Sequence, residues 1–440
     1  MTTRVFVTLG CLLCVARAGL LGDPPKDVKK PLVLAPAERK KLLAERDSWE
    51  NKSRAFRGKG KFAEAIAAVE QAMAIERSVF GEVSDEVAKS LDLIGGYQVD
   101  RDDFAAARKA FERMQSILLK LHDKNDWHLV DVRLDLEDVQ IHEHLTPAAR
   151  KELALAEQVD GQALISFRKG EFSQAIKLEG QALEIRQRIL GQGNVNTANS
   201  RLKLATLYSW TGEYAKAEKF SLDALVVSRK LKGNAHPDTA QNLNNLAGLY
   251  EDMDEYAKAE PLHLEALSIW TKALGEAHPN TAVCMNDTAL LYKSMGQYAK
   301  AEEFLKKALK VQKENRGLEH RDTAVTMNNF GELYRDMGEY AKAEPLFLEA
   351  LRMEKEFLGE QHPLTGTTTN NLASLYTAVG DTAKAEPLLK QAIELHTKGY
   401  GEFHPNTAMS YENLGYLYET IHDYVRAESA YRRALAIDHK

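Results

Sequence analysis

Along most of this chain apolar side chains recur three and four positions apart, in short blocks separated by turns that carry glycine, aspartate or proline. Between Ala240 and Leu274, one stripe is made by Leu243, Leu246, Ala247 and Tyr250, and a second by Ala259, Leu262, Ala266 and Leu267. This spacing predicts two amphipathic helices joined by a tight turn near Asp254. The small Ala247 and Ala259 let the pair approach closely, and Tyr250 and Tyr256 fill the space toward neighbouring pairs. The pattern repeats. A Tyr-Ala-Lys-Ala-Glu segment begins at Tyr214, Tyr256, Tyr298 and Tyr340, in variant form at Thr382, and again at Tyr424, each 42 residues after the last. A fixed period of this size predicts an all-α solenoid of stacked antiparallel helix pairs, each completing its apolar cover with the next pair.

The period extends backwards to Phe172, and Phe62 and Phe104 are also 42 residues apart. The step from Phe104 to Phe172 is 68 residues, one period and 26 more. The additional material, roughly Asp126 to Thr146, reads as one unpaired helix ended at Thr146-Pro147. The reading is nine helix pairs and one further helix. It divides the chain into residues 1–18, 19–36, 37–122 (helix pairs), 123–149 (interrupting helix and linker) and 150–440 (the regular array).

Five units open with His236-Pro237, His278-Pro279, His320-Arg321, His362-Pro363 and His404-Pro405, each followed closely by threonine. Proline is tolerated in a first helical turn, where its missing N–H would be unpaired anyway, and nearby Asp, Asn or Thr can accept from the other free N–H groups. A zinc ladder of these histidines is disfavoured, because one imidazole per repeat lies about 8–10 Å from the next and zinc needs its donors within about 2.1 Å of one centre. Pro261, Pro345 and Pro387 lie just beyond the first turn of second helices and predict local bending.

Residues 1–18 differ in kind. Arg4, an apolar run and Ala16-Arg17-Ala18 have the form of a secretory signal, too short for an ordinary membrane span. Cleavage there takes the formal charge from −6 to −8 and places the protein in an exported, periplasmic or secreted setting, or at a membrane through a retained anchor. It also removes Cys11 and Cys14, leaving Cys284 without a disulfide partner. Residues 19–36, rich in proline and lysine, read as a linker. Charged residues make up 28% of the chain and the two signs interleave, so no basic stripe for nucleic acid is present.

The repeated unit HPDTAQNLNNLAGLYEDMDEYAKAEPLHLEALSIWTKALGEA resembles a tetratricopeptide repeat, and more narrowly the 42-residue variety of kinesin light chains. The resemblance is strong over 196–440, fair over 38–120 and 150–190, and absent in the interrupting helix. It implies a right-handed superhelix whose first helices line an inner groove, with an asparagine on that face bonding the backbone of an extended peptide. The matching positions are Asn245, Asp287, Asn329, Asn371 and Asn413, with Lys203 one unit earlier and Asn244, Asn286, Asn328 and Asn370 beside them. Lys293, Arg335 and Glu251 follow one turn later. Asparagine donates and accepts at once, which suits backbone recognition. Kinesin light chains carry a heptad coiled coil before their repeats, and no such pattern precedes them here.

Catalytic signatures are not found. There is no Gly-x-Ser-x-Gly elbow, no His-Glu-x-x-His and no phosphate-cradling glycine loop. His142-Glu143-His144 places its imidazoles about 200° apart on a helix. No cofactor, metal or catalytic residue is expected. The sequence predicts a scaffold for a protein or peptide ligand; the alternative is an assembly subunit that self-associates through its C-terminal helix, where Tyr431, Ala434 and Ile437 are apolar.

Overall fold

The computed structural model describes residues 34–316 and 321–438; the expected export signal, most of the expected linker and His320 lie outside them. Among the described residues there are nineteen α-helices and no strand. The chain separates into two units, with the boundary between Ala154 and Leu155.

The N-terminal unit contains the pair α1 (Pro36–Arg57) and α2 (Phe62–Val79), the pair α3 (Asp85–Asp100) and α4 (Phe104–Leu121), and the unpaired α5 (Trp127–His144). The additional helix foreseen between Asp126 and Thr146 is α5, and it packs on α3 and α4. The next helix, α6 (Pro147–Arg168), starts at the proline that ends it and crosses the unit boundary.

In the C-terminal unit α6 packs on α7 (Phe172–Leu190). Six further pairs follow: α8 (Val195–Trp210) with α9 (Tyr214–Leu231), α10 (Pro237–Asp252) with α11 (Tyr256–Leu274), α12 (Pro279–Ser294) with α13 (Tyr298–Arg316), α14 (Arg321–Asp336) with α15 (Tyr340–Phe357), α16 (Pro363–Ala378) with α17 (Thr382–Tyr400), and α18 (Pro405–Thr420) with α19 (Tyr424–Asp438). Consecutive first helices, α8 to α18, also touch one another and form the more closely packed inner layer.

The recurring Tyr-Ala-Lys-Ala-Glu segment has a role at nearly every position. Its second alanine, Ala217, Ala259, Ala301, Ala343 or Ala385, is fully buried where the paired helices cross. Its lysine lies over the tyrosine ring that ends the preceding first helix: Lys258 over Tyr250 at 4.9 Å, Lys300 over Tyr292 at 4.6 Å, Lys342 over Tyr334 at 5.0 Å. That same tyrosine donates its hydroxyl to the glutamate of the previous repeat, as in Tyr250 to Glu218 at 2.7 Å and Tyr376 to Glu344 at 2.7 Å. One motif therefore closes its own hairpin and fastens it to the next.

The turns use backbone shapes that few residues accept. Between first and second helices one residue is left-handed, usually glycine (Gly338, φ 74°), but Asp102 (φ 60°), Asp254 (φ 57°) and His422 (φ 62°) hold it in three repeats. Between pairs, Gly275 takes φ 93° and ψ 159°, a region essentially restricted to glycine. Its carbonyl accepts from Thr281 Oγ1 at 2.9 Å, and the same bond recurs from Thr239 to Gly233 and from Thr407 to Gly401.

The structural role expected of the His-Pro segments takes a different form from the one anticipated. The N-cap is the histidine. Nδ1 of His236, His278, His362 and His404 accepts from the backbone N–H two residues on, at 3.0–3.2 Å. The threonine points back to the glycine carbonyl and caps nothing.

Candidate functional site

The inner layer of the C-terminal unit carries the predicted asparagines, and consecutive repeats are laced together through them. Asn244 Nδ2 donates to Asp287 Oδ2 at 2.8 Å, Asn329 Nδ2 to Asn286 Oδ1 at 3.0 Å, and Asn371 Nδ2 to Asn328 Oδ1 at 3.0 Å. Each rung joins residues 43 apart, one period plus one, so the first asparagine of one helix meets the second position of the next. Asn244, Asn286, Asn328, Asn329, Asn370 and Asn371 are buried. Asn245 and Asn413 are half-buried. Gln241 Nε2 bonds Asn245 Oδ1 within α10, at 2.8 Å.

The fourth rung, Asn370 to Asn413, is not formed. Both side-chain atoms of Asn370 are buried without a hydrogen-bond partner. An unsatisfied buried amide costs about 1–3 kcal/mol, so this end of the ladder holds a donor and an acceptor that a further amide group would satisfy.

The charged positions expected on this face are engaged with neighbours. Lys203 Nζ bonds Asp160 Oδ2 at 2.7 Å, and Asp160 also receives the Arg186 guanidinium at 3.0 and 2.6 Å. Burial raises the pKa of the adjacent Glu179 carboxyl. Lys293 Nζ lies 2.7 Å from Glu332 and 3.8 Å from Asp336, and Arg335 pairs with Asp336. Burial acts to raise the Glu332 pKa, but Lys293 and Arg335 outweigh it and hold the carboxyl below its ordinary value; Asn328 and Asn371 bond it at 3.0 and 2.7 Å. Glu251 does not face outward. Its Oε1 lies 2.8 Å from His263 Nε2, while His263 Nδ1 lies 2.9 Å from Asn244 Oδ1, so this buried imidazole ties the first rung to the outer layer. Burial raises the pKa of the Asp287 carboxyl at the other end of that rung.

The face therefore offers amide groups set on a fixed spacing and charges already neutralised by partners. That chemistry suits hydrogen bonding to another backbone and is poorly suited to capturing a strongly charged ligand. The ladder itself was overlooked in the sequence, although the 43-residue offset between asparagine positions is visible there. The second overlooked feature is a buried polar pair between a second helix and the next first helix, 14 residues on, at four junctions: Glu76 with Ser90, Arg186 with Ser200, Glu354 with Thr368 and His396 with Ser410.

At the outer end, α19 shows Tyr431 and Leu435 at 36% and 56% exposure, where the matching Leu389 of α17 is fully buried. No described helix is long and apolar enough to cross a membrane. Cys284 is buried and free, and burial raises its thiol pKa.

Tetratricopeptide repeat profiles match residues 155–230, 196–267, 238–314, 322–398 and 367–440, and a second such profile matches 47–78. No curated protein sequence matches the chain significantly. Among solved structures, BtubC (BKLC) from P. vanneervenii is 24% identical over 55% of this chain and 90% of its own, with a TM-score of 0.40. A Rap protein complexed with Competence and Sporulation Factor is 15% identical over 91% and 98%, at 0.51. The Rap conjugation gene regulator of plasmid pLS20, in complex with the Phr* peptide, is 14% identical over 76% and 90%, at 0.52. At these identities the likeness concerns the fold.

Proposed function

Because the chain belongs to the tetratricopeptide repeat family, we propose that it is a non-catalytic scaffold whose inner α8–α18 face binds an extended peptide segment of another protein. The observation that carries this reading is the asparagine ladder and its open last rung at Asn370 and Asn413. Asn370 is itself buried, so a peptide would reach this rung through the half-buried Asn413 amide, to which its backbone brings one N–H and one C=O per residue. The paired state of Lys203, Lys293 and Arg335 favours a ligand of low net charge. Two fold neighbours with TM-scores above 0.5 are described in complex with Competence and Sporulation Factor and with the Phr* peptide, which supports the reading by analogy.

Selection from a displayed library of random dodecapeptides tests it. Peptides selected on the wild-type chain should lose about thirtyfold in affinity, about 1 kcal/mol for each of the two bonds removed, when Asn245 and Asn413 are both changed to Ala. Neither residue forms a rung, so helicity should hold. Binding should also vary little between low and high salt, since exposed charge pairs do not drive it. Selected peptides that bind the double variant equally well would sink the proposal.

A second reading, self-association through α19, is favoured by the exposure of Tyr431 and Leu435. Leu435→Glu should then reduce the sedimentation coefficient to that of a monomer. A wild-type chain that already sediments as a monomer would exclude it.

A further inference from the structure

Where the 42-residue period breaks, the five residues between α4 and α5 bring two histidines beside the first turn of α3. His122 Nε2 lies 2.7 Å from Asp85 Oδ1. The His122 and His128 rings are stacked, with centroids 4.5 Å apart and planes at 25°. Asp126 sits behind both: its Oδ1 is 2.6 Å from His128 Nδ1, and its Oδ2 is 3.7 Å from His122 Nδ1. Asp85, His122 and His128 each offer a ligand atom, all within 4.8 Å of one another, and all three side chains are partly exposed.

From this arrangement we infer a divalent transition-metal site, of the zinc type, with Asp85 Oδ1, His122 Nε2 and His128 Nε2 as ligands. Three observations favour a metal over two unrelated histidine–carboxylate pairs. First, Asp126 occupies the Nδ1 edge of His128 and faces that of His122, which leaves the two Nε2 lone pairs for a cation. A carboxylate behind a ligating imidazole is the usual outer shell of a zinc histidine. Second, two imidazoles and one carboxylate match the donor preference of zinc and its neighbours over calcium or magnesium. Third, the three donor atoms already lie within 4.8 Å of one another, against the about 3.3 Å that tetrahedral zinc with donors at about 2.0–2.1 Å requires. Reaching that spacing requires movements of about 1 Å in a short loop, with the Asp85–His122 bond opening to admit the ion. Water completes the coordination.

The ion would fasten α5, the helix that interrupts the array, to the start of α3. This position differs from the His142-Glu143-His144 segment: His142 Nδ1 and His144 Nδ1 lie 2.9 and 2.7 Å from the carbonyls of Asp138 and Gln140 on their own helix.

The test is a zinc titration of the full chain, free of any histidine tag, by calorimetry and by competition with a chromophoric chelator. Cobalt serves as a spectroscopic substitute, and Trp127, stacked 3.6 Å from His128, as a fluorescent reporter. One zinc per chain is expected. Affinity should fall at least a hundredfold in the His122→Ala, His128→Ala double variant and about ten- to a hundredfold in Asp126→Asn, and remain unchanged in His142→Ala. Should the double variant lose helical structure, Asp85→Asn replaces it, with loss of the tetrahedral cobalt absorption as the readout. Absence of stoichiometric zinc binding, or equal affinity in wild type and variants, would overturn the assignment.

Discussion

Phe347→Ala is expected to destabilise the C-terminal unit by about 3–5 kcal/mol, the usual cost of emptying a buried aromatic site. Phe347 is fully buried in α15, within the apolar cluster that joins α12–α19. Its ring lies so near Gly331 that a Cβ there would meet it at 2.8 Å, so α14 cannot settle inward without a change of backbone. The position is one in a 42-residue series that runs through Ser221, His263, Leu305 and Leu389. In a stacked array each repeat is held mainly by its neighbours, so the loss should appear as a local weakness. Urea unfolding should change from one transition toward two, the repeats after α15 melting first. Leu348, 47% exposed on the same helix, supplies the control: Leu348→Ala should shift the curve by less than about 0.5 kcal/mol. Equal shifts for the two variants would show that the stacking register described here is wrong.

Stability should also respond to pH in opposite senses at two buried sites. Glu354 accepts from Thr368 Oγ1 at 3.0 Å, and burial pushes its carboxyl up to about 8 against the lowering effects of Thr368 and Arg321. Its folded pKa is raised, so its contribution is complete below about pH 4.5 and is lost as pH rises toward 8. His396, bonded to Ser410 and Thr367, and His404, among Phe172, Trp210 and Tyr400, are both drawn down to about 4, chiefly by burial. Their folded pKa values are depressed, so their contribution is complete above about pH 6.5 and is lost as pH falls toward 4. Over the full window the shift corresponds to about 5 kcal/mol for Glu354 and about 3 kcal/mol for each histidine. The windows overlap between about pH 4.5 and 6.5, where the two histidines gain more with rising pH than the one carboxyl loses, so for these three groups stability should peak near pH 6.5. Glu354→Gln keeps a partner for Thr368 and removes the titration, so its advantage over wild type should grow by about 3 kcal/mol between pH 4.5 and 7.5. Parallel stability curves for the two proteins would contradict this account.

The helices were legible because periodicity is local and repeated. The apolar stripes, the alanines at the crossings and the left-handed turn residue all follow from spacing within one unit. What remained hidden depends on contacts between units. Asn244 and Asp287 become neighbours only when two first helices stack, so reading Asn244 and Asn245 as a side-by-side pair on one groove missed the rung. The capping role of His236 was not legible, since imidazole is an uncommon N-cap; its Nδ1 takes the place of a serine or aspartate oxygen. His122 and Asp85 are 37 residues apart, with no motif spacing to join them. The irregular step in the period marked where such a contact could form, and nothing in the sequence indicated which side chains would meet.

The central claim is that the inner first-helix layer is a binding surface for an extended peptide. Amide hydrogen exchange of the full chain, with and without a saturating library-selected peptide, tests this most directly. Added protection should concentrate in α10 to α18 on the first-helix side and be largest in α16 and α18, around Asn370 and Asn413. Protection confined to second helices such as α19, or no change under saturating peptide, would contradict it.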